Sequence, residues 1–95
     1  MTSVTVLIPT LLRPCTAGRK EVTLHPDEAH DVAAVLDRLG VLHPLLEGRI
    51  RDETGALRRF VNIYVDGEEV RRLDLLGTPV RAGATIMIMQ SVAGG

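Results

Sequence analysis

Aromatic residues are nearly missing from this chain. One Phe, one Tyr and no Trp make up 2% of its 95 residues. The core must therefore be aliphatic, and a row of aromatic platforms for stacking single-stranded bases is excluded. A single cysteine, Cys15, cannot close an internal disulfide, so the sequence points to a reducing, cytoplasmic setting. Charge of one sign is not in excess either. Eleven basic against twelve acidic residues leave a formal net charge of -1, which argues against a nucleic-acid binder. No apolar run approaches the roughly 20 residues that cross a bilayer. The opening Met1-Thr2-Ser3-Val4-Thr5-Val6 lacks the basic start and long apolar stretch of a signal peptide, so no membrane role is expected. Internal repeats and low-complexity segments are also missing.

What is present is a 45% hydrophobic composition, enough for one compact domain over residues 1–95. Ser3 to Ile8 alternate, with Val4, Val6 and Ile8 on one face and Thr5 and Leu7 on the other, which predicts a strand. Pro9 ends it. Leu11 to Gly18 form a connection, and Glu21 to His25 alternate again, completing a hairpin. Asp27 reads as a helix N-cap, with Glu28 favourable in the first turn. Val32, Val35, Leu36 and Leu39 then make one apolar stripe at helical spacing. Gly40 stands where a C-terminal glycine cap belongs, giving a helix of about three turns. Beyond it, Leu42, Leu45, Leu46 and Ile50 are expected to pack under the sheet, and Arg51 to Gly55 to form a polar surface loop. Arg58 to Val65 read as a strand, Asp66-Gly67 as a tight turn, and Glu68 to Arg72 as a short return strand. Leu73 to Arg81 are broken by Gly77 and Pro79, and Ala84 to Val92 form the last strand. The order ββαβ(β)β predicts an α+β, two-layer domain with a sheet against one main helix.

An active site is hard to find. Cys15 has only Arg13 as a nearby cation and no His or acid at an informative spacing, so it lacks the surroundings of a nucleophile. His25, His30 and His43 match no metal-site spacing, and no metal is expected. Asp27, Glu28 and Asp31 are explained by capping and the helix dipole. Glu68 and Glu69 follow a turn and are expected to be solvated. Gly55 and Gly83 are loop glycines, and no phosphate-cradling loop is present.

Strand alternation instead suggests a docking face. If Val61, Ile63 and Val65 face the helix, Phe60, Asn62 and Tyr64 face away. If Ile86 and Ile88 are core, Met87 and Met89 turn outward. Phe60, Tyr64, Met87 and Met89 would then form an apolar patch near the chain end, a composition suited to adaptable interfaces. Loop residues such as Leu75 and Leu76 could cover it instead.

The chain ends in Val92-Ala93-Gly94-Gly95, directly after the last predicted strand. Together with Ile8-Pro9-Thr10 and Leu12-Arg13-Pro14 near the start, and Arg59-Phe60-Val61-Asn62-Ile63-Tyr64-Val65 and Glu69-Val70-Arg71 in the centre, this ending resembles the ubiquitin-like sulfur carriers of the MoaD/ThiS family. The likeness is to their CysO type, which serves cysteine biosynthesis, and it covers nearly the whole chain. It implies a β-grasp fold, a mixed sheet on one main helix with a flexible Gly-Gly tail over residues 93–95.

The resemblance also implies a chemistry. The carrier is a protein cosubstrate, not an enzyme, monomeric when free and without a bound cofactor. An E1-like adenylating enzyme uses ATP to convert the Gly95 carboxylate to an acyl-adenylate. Sulfur then displaces AMP to leave a thiocarboxylate. Gly94 lets the tail thread a narrow channel, because glycine has no side chain and reaches backbone conformations closed to other residues. Phe60, Tyr64, Met87, Met89, Val92 and Ala93 would meet the partner. The sulfur-accepting partner would be a pyridoxal-phosphate-dependent cysteine synthase or a thiazole-synthase-like enzyme. A role as the small subunit of molybdopterin synthase remains open, and a ubiquitin-like interaction module that is never adenylated is the reading of a different class.

Overall fold

A computed structural model of the chain describes residues 2–91. Its strands are β1 (Val4–Leu7), β2 (Glu21–Leu24), β3 (Val61–Val65), β4 (Glu68–Glu69) and β5 (Thr85–Gln90), with helices α1 (Val32–Leu42) and α2 (Pro44–Ile50) between β2 and β3. They form one mixed five-stranded sheet in the order β2-β1-β5-β3-β4. The central pair, β1 and β5, runs parallel, and the other pairs are antiparallel. Both helices lie between the β1–β2 hairpin and the β3–β4–β5 half, the long connection that lets first and last strands lie side by side.

One face of the sheet closes the core. Val4, Val6, Val22, Leu24, Val61, Ile63, Ile86 and Ile88 from the strands meet Val32, Val35, Leu36 and Leu39 from α1, all buried. The helix stripe read from the periodicity is thus the packed one. The β3–β4 turn is built as its residues demand. Asp66 (φ +49°) and Gly67 (φ +88°) both lie in the left-handed region, the pattern of a type I′ hairpin. The Asp66 carboxylate accepts from the Thr85 amide at 2.8 Å, which pins the turn to the start of β5.

Several local expectations are corrected. Asp27 is not the helix N-cap. Pro26–Glu28 form a separate 3-10 turn, with Asp27 N donating to His25 Nδ1 at 3.2 Å. Asp31 caps α1 instead, its Oδ1 accepting from Ala34 N at 2.7 Å. Two Asp residues precede the apolar stripe, and the one adjacent to it is in reach of the orphan amides. His30 accordingly precedes the helix and is exposed.

Gly40 does not end α1, which continues to Leu42 before Pro44 opens α2. A Cβ at Gly40 would stand 3.0 Å from Glu47 Oε2 and 3.5 Å from Glu47 Cβ, so the glycine makes room for α2. Leu46 and Ile50 are buried as expected, but Leu42 and Leu45 are 43% and 73% exposed. On α2 the positions i and i+4 share the inner face, and Leu45 sits one step around the helix from Leu46.

Arg51 is not a loose surface residue. Its guanidinium donates to Asp37 Oδ1 at 2.8 Å and to Glu47 Oε1 at 2.7 Å, clamping the end of α2 to α1. Burial opposes its charge, but the hydrogen bonds and the two carboxylates outweigh that and hold its pKa above the usual arginine value. The predicted strands at 58–65 and 68–72 are also shorter than expected. Arg58 O is taken by the Arg71 side chain at 3.0 Å, and Val70–Arg72 form a 3-10 turn that drops Val70 into the core.

Candidate docking face and carrier tail

The face of the sheet turned away from the helices carries the outward residues of the central strands. Register sets Tyr64 opposite Met87 and Asn62 opposite Met89 on β3 and β5. Met87 is 38% exposed, Met89 46% and Phe60 43%, while Tyr64 and Asn62 are half-buried. The structure therefore brings Phe60, Tyr64, Met87 and Met89 onto one side, as the alternation implied. Of the two leucines that could have covered this face, Leu75 is itself 50% exposed and Leu76 packs against the core.

Leu7 also belongs to this patch, a residue that the sequence reading did not include. It pairs with Met87 across the parallel β1–β5 ladder and is half-buried on the same face. The alternation of β1 already turned Leu7 outward. What it could not show was that the first and last strands are neighbours.

The patch has a basic border. The Arg59 guanidinium carbon lies 5.9 Å from the Phe60 ring centroid, within cation–π range. Arg71 reaches from the Val70–Arg72 turn to Asn62 Oδ1 at 2.5 Å and to Val61 O at 2.7 Å. Ser91 N donates to Phe60 O at 2.8 Å, so the chain leaves the sheet beside Phe60. Val92, Ala93, Gly94 and Gly95, assigned to the tail from sequence, lie outside the described residues.

Groups that could make chemistry here are few. Cys15 is a free, half-buried thiol in the 3-10 segment Thr10–Thr16, packed against the core. Among the described residues, no three or more His, Cys, Asp or Glu side chains are grouped to hold a metal ion. No helix among them is long and apolar enough to cross a membrane.

The sequence profile of the ThiS family matches residues 6–95. The chain belongs to the ThiS family. Among curated members, the sulfur carrier protein CysO of Mycobacterium tuberculosis is 41% identical over 95 residues, covering 98% of this chain and 99% of that one. A chain of the crystal structure of the Amycolatopsis orientalis BexX/CysO complex superposes with a TM-score of 0.87 at 38% identity, over 97% of this chain and 99% of that chain. SAMP1 from Haloferax volcanii superposes with a TM-score of 0.82 at 29% identity, over 98% of this chain and 99% of its own. The β-grasp, ubiquitin-like fold of these relatives is thus the fold of this chain, with α2 as its second, shorter helix.

Proposed function

We propose that this chain is a sulfur carrier whose Gly95 carboxylate is converted to a thiocarboxylate for a biosynthetic sulfur transfer of the cysteine type. The observation that carries the reading is the near-full-length match to the sulfur carrier CysO, with a family profile that runs through Gly95. A carboxylate is a poor electrophile at neutral pH. An E1-like enzyme overcomes this when a Gly95 oxygen attacks the α-phosphorus of ATP and pyrophosphate leaves. A sulfide-equivalent nucleophile then attacks the acyl carbon and AMP leaves, giving the thiocarboxylate. That group is anionic and soft at neutral pH, so its sulfur is the nucleophile toward the acceptor. The acceptor would be an activated serine derivative held by a pyridoxal-phosphate cysteine synthase, or the substrate of a thiazole-synthase-like enzyme. The carrier itself is a cosubstrate and supplies no catalytic group, and ATP belongs to the partner.

Intact-protein mass spectrometry of the carrier from its native cells tests the class. The expected species has one oxygen replaced by sulfur, located by fragmentation at Gly95. A terminal carboxylate that stays unmodified, with no adenylating enzyme able to load it, would leave a ubiquitin-like interaction module instead.

The exposed sheet face is the surface the adenylating enzyme would cover while it holds the tail, since Met89 lies six residues before Gly95. Met89→Glu places a carboxylate in a desolvated contact without a partner, which is costly. Central residues of such patches often carry about 2 kcal/mol or more of binding energy, so loading should fall by about thirtyfold or more. Met89 is 46% exposed, and the melting temperature should change little. Paired thermal unfolding and adenylation rates check this: a protein that folds and loads normally would move the contact off this face.

A further inference from the structure

Beside the exposed sheet face lies a second surface feature that the sequence did not reveal. Ala56, Leu57, Leu75, Leu76 and Arg71 line a groove of about 480 Å³, apolar apart from the one guanidinium. Its rim is built under strain. Leu75 has φ +50°, a left-handed conformation that a leucine rarely adopts, and its side chain is 50% exposed. The backbone thus holds an apolar side chain at the lip of an apolar groove without burying it.

Arg71 is held in place with uncharged partners. Its Nη1 donates to Val61 O at 2.7 Å and to Asn62 Oδ1 at 2.5 Å, and its Nη2 donates to Arg58 O at 3.0 Å. Among the described residues, these bonds use three of the five guanidinium donors and leave two without a partner. They neutralise none of its charge. The ion pairs among the described residues involve neither Arg71 nor its neighbours Arg58, Arg59 and Arg72. The nearby acid Asp52 is engaged by the Thr54 hydroxyl and amide and the Ala56 amide, and Asp74 stays exposed beside Leu75. A guanidinium ordered by neutral oxygens and without a carboxylate partner among the described residues is preorganised for one. Through Asn62 it also borders the exposed sheet face, and through Arg58 it lies two residues from Phe60, where the chain leaves the sheet.

We propose that this groove receives an acidic, apolar segment of the adenylating enzyme, a carboxylate of that segment pairing with Arg71 while an adjacent aliphatic or aromatic side chain fills the space between Leu57, Leu75 and Leu76. The proposal rests on the sulfur-carrier reading. It extends the partner contact from the flat sheet face around its edge, and it assigns Arg71 a recognition role as well as that of a staple between β3 and the Val70–Arg72 turn.

Steady-state loading by the organism's own adenylating enzyme, with carrier concentration varied, tests it in three proteins. Arg71→Gln removes the charge. Leu75→Asn removes the apolar rim with a residue that accepts the left-handed backbone, so the fold is spared. Each should raise the KM for carrier by about tenfold, the loss of one charge-assisted or one apolar interface contact, with kcat near the wild-type value. Added salt should raise KM for the wild type and much less for Arg71→Gln, a difference that a purely structural Arg71 would not produce. Unchanged KM in both variants overturns the proposal while leaving the carrier reading intact. If Arg71→Gln fails to fold, an unchanged KM for Leu75→Asn alone overturns it. A concentration-dependent dimer that Leu75→Asn dissolves, with unaltered KM, assigns the groove to a second copy and overturns it as well. A wild-type chain that no adenylating enzyme loads removes the carrier reading, and the docking site with it.

Discussion

Removing Gly95, or extending the chain beyond it, is expected to abolish thiocarboxylate formation and to leave the melting temperature where it is. The two effects separate because they depend on different parts of the molecule. Among the described residues, the core on β5 closes at Ile88, and the final backbone hydrogen bond runs from Ser91 N to Phe60 O. The reacting group in the proposed chemistry, by contrast, is the carboxylate on Gly95. Extension converts it to an amide, which cannot attack the α-phosphorus of ATP, and deletion moves it one residue, about 3.5 Å, short of the nucleotide. A misplacement of that size costs orders of magnitude in rate. Gly94→Val keeps the carboxylate but adds a β-branched side chain where the tail must thread. It should slow loading severely without removing it. Thiocarboxylate yield by mass spectrometry and melting by circular dichroism are the paired measurements. Normal loading of an extended, uncleaved chain would refute the assignment of the reactive group.

Leu36→Ala should have the largest effect on stability. Leu36 is 1% exposed on α1, between Val32, Val35 and Leu39 and the inner residues of the sheet. Truncating a fully buried leucine loses its transfer free energy and leaves a cavity, together about 2–5 kcal/mol. A domain of this size holds on the order of 5–10 kcal/mol in total. A fall in melting temperature on the order of 10 °C or more should follow. Chemical denaturation gives the same quantity as a lower midpoint at constant slope. An unchanged midpoint would mean that the α1 stripe does not face the sheet. Phe60→Ala is the contrast: a 43% exposed side chain leaves no comparable cavity, and its cost should be far smaller.

Much of this architecture is legible in the residue order because local rules point the same way. The α1 stripe, the alternation of β1, β3 and β5, and the Asp66-Gly67 turn each follow from a periodicity or a backbone preference that acts within a few residues. The same alternation, applied strand by strand, separates Phe60, Tyr64, Met87 and Met89 from the core. The Gly94-Gly95 ending and the central Arg59–Val65 segment carry the family resemblance. These are matters of local chemistry, readable from residues a few positions apart.

Other features depend on contacts between segments distant in the chain. Gly40 reads as a helix stop, yet it lies inside α1, where the missing Cβ leaves room for Glu47 of α2. Arg51 reads as a loop residue, yet it sits against Asp37, fourteen residues away. Leu42 and Leu45 read as core because they are leucines, yet Leu42 ends α1 exposed, and of the α2 leucines and isoleucine only Leu46 and Ile50 are buried. Leu7 joins the exposed face only because β1 and β5 are parallel neighbours. Arg71 becomes an ordered guanidinium only because β3 offers it Val61 O and Asn62 Oδ1, ten and nine residues back. Periodicity reports which way a side chain points along its own element. It says nothing about which other element stands there, and that was left for the tertiary structure to decide.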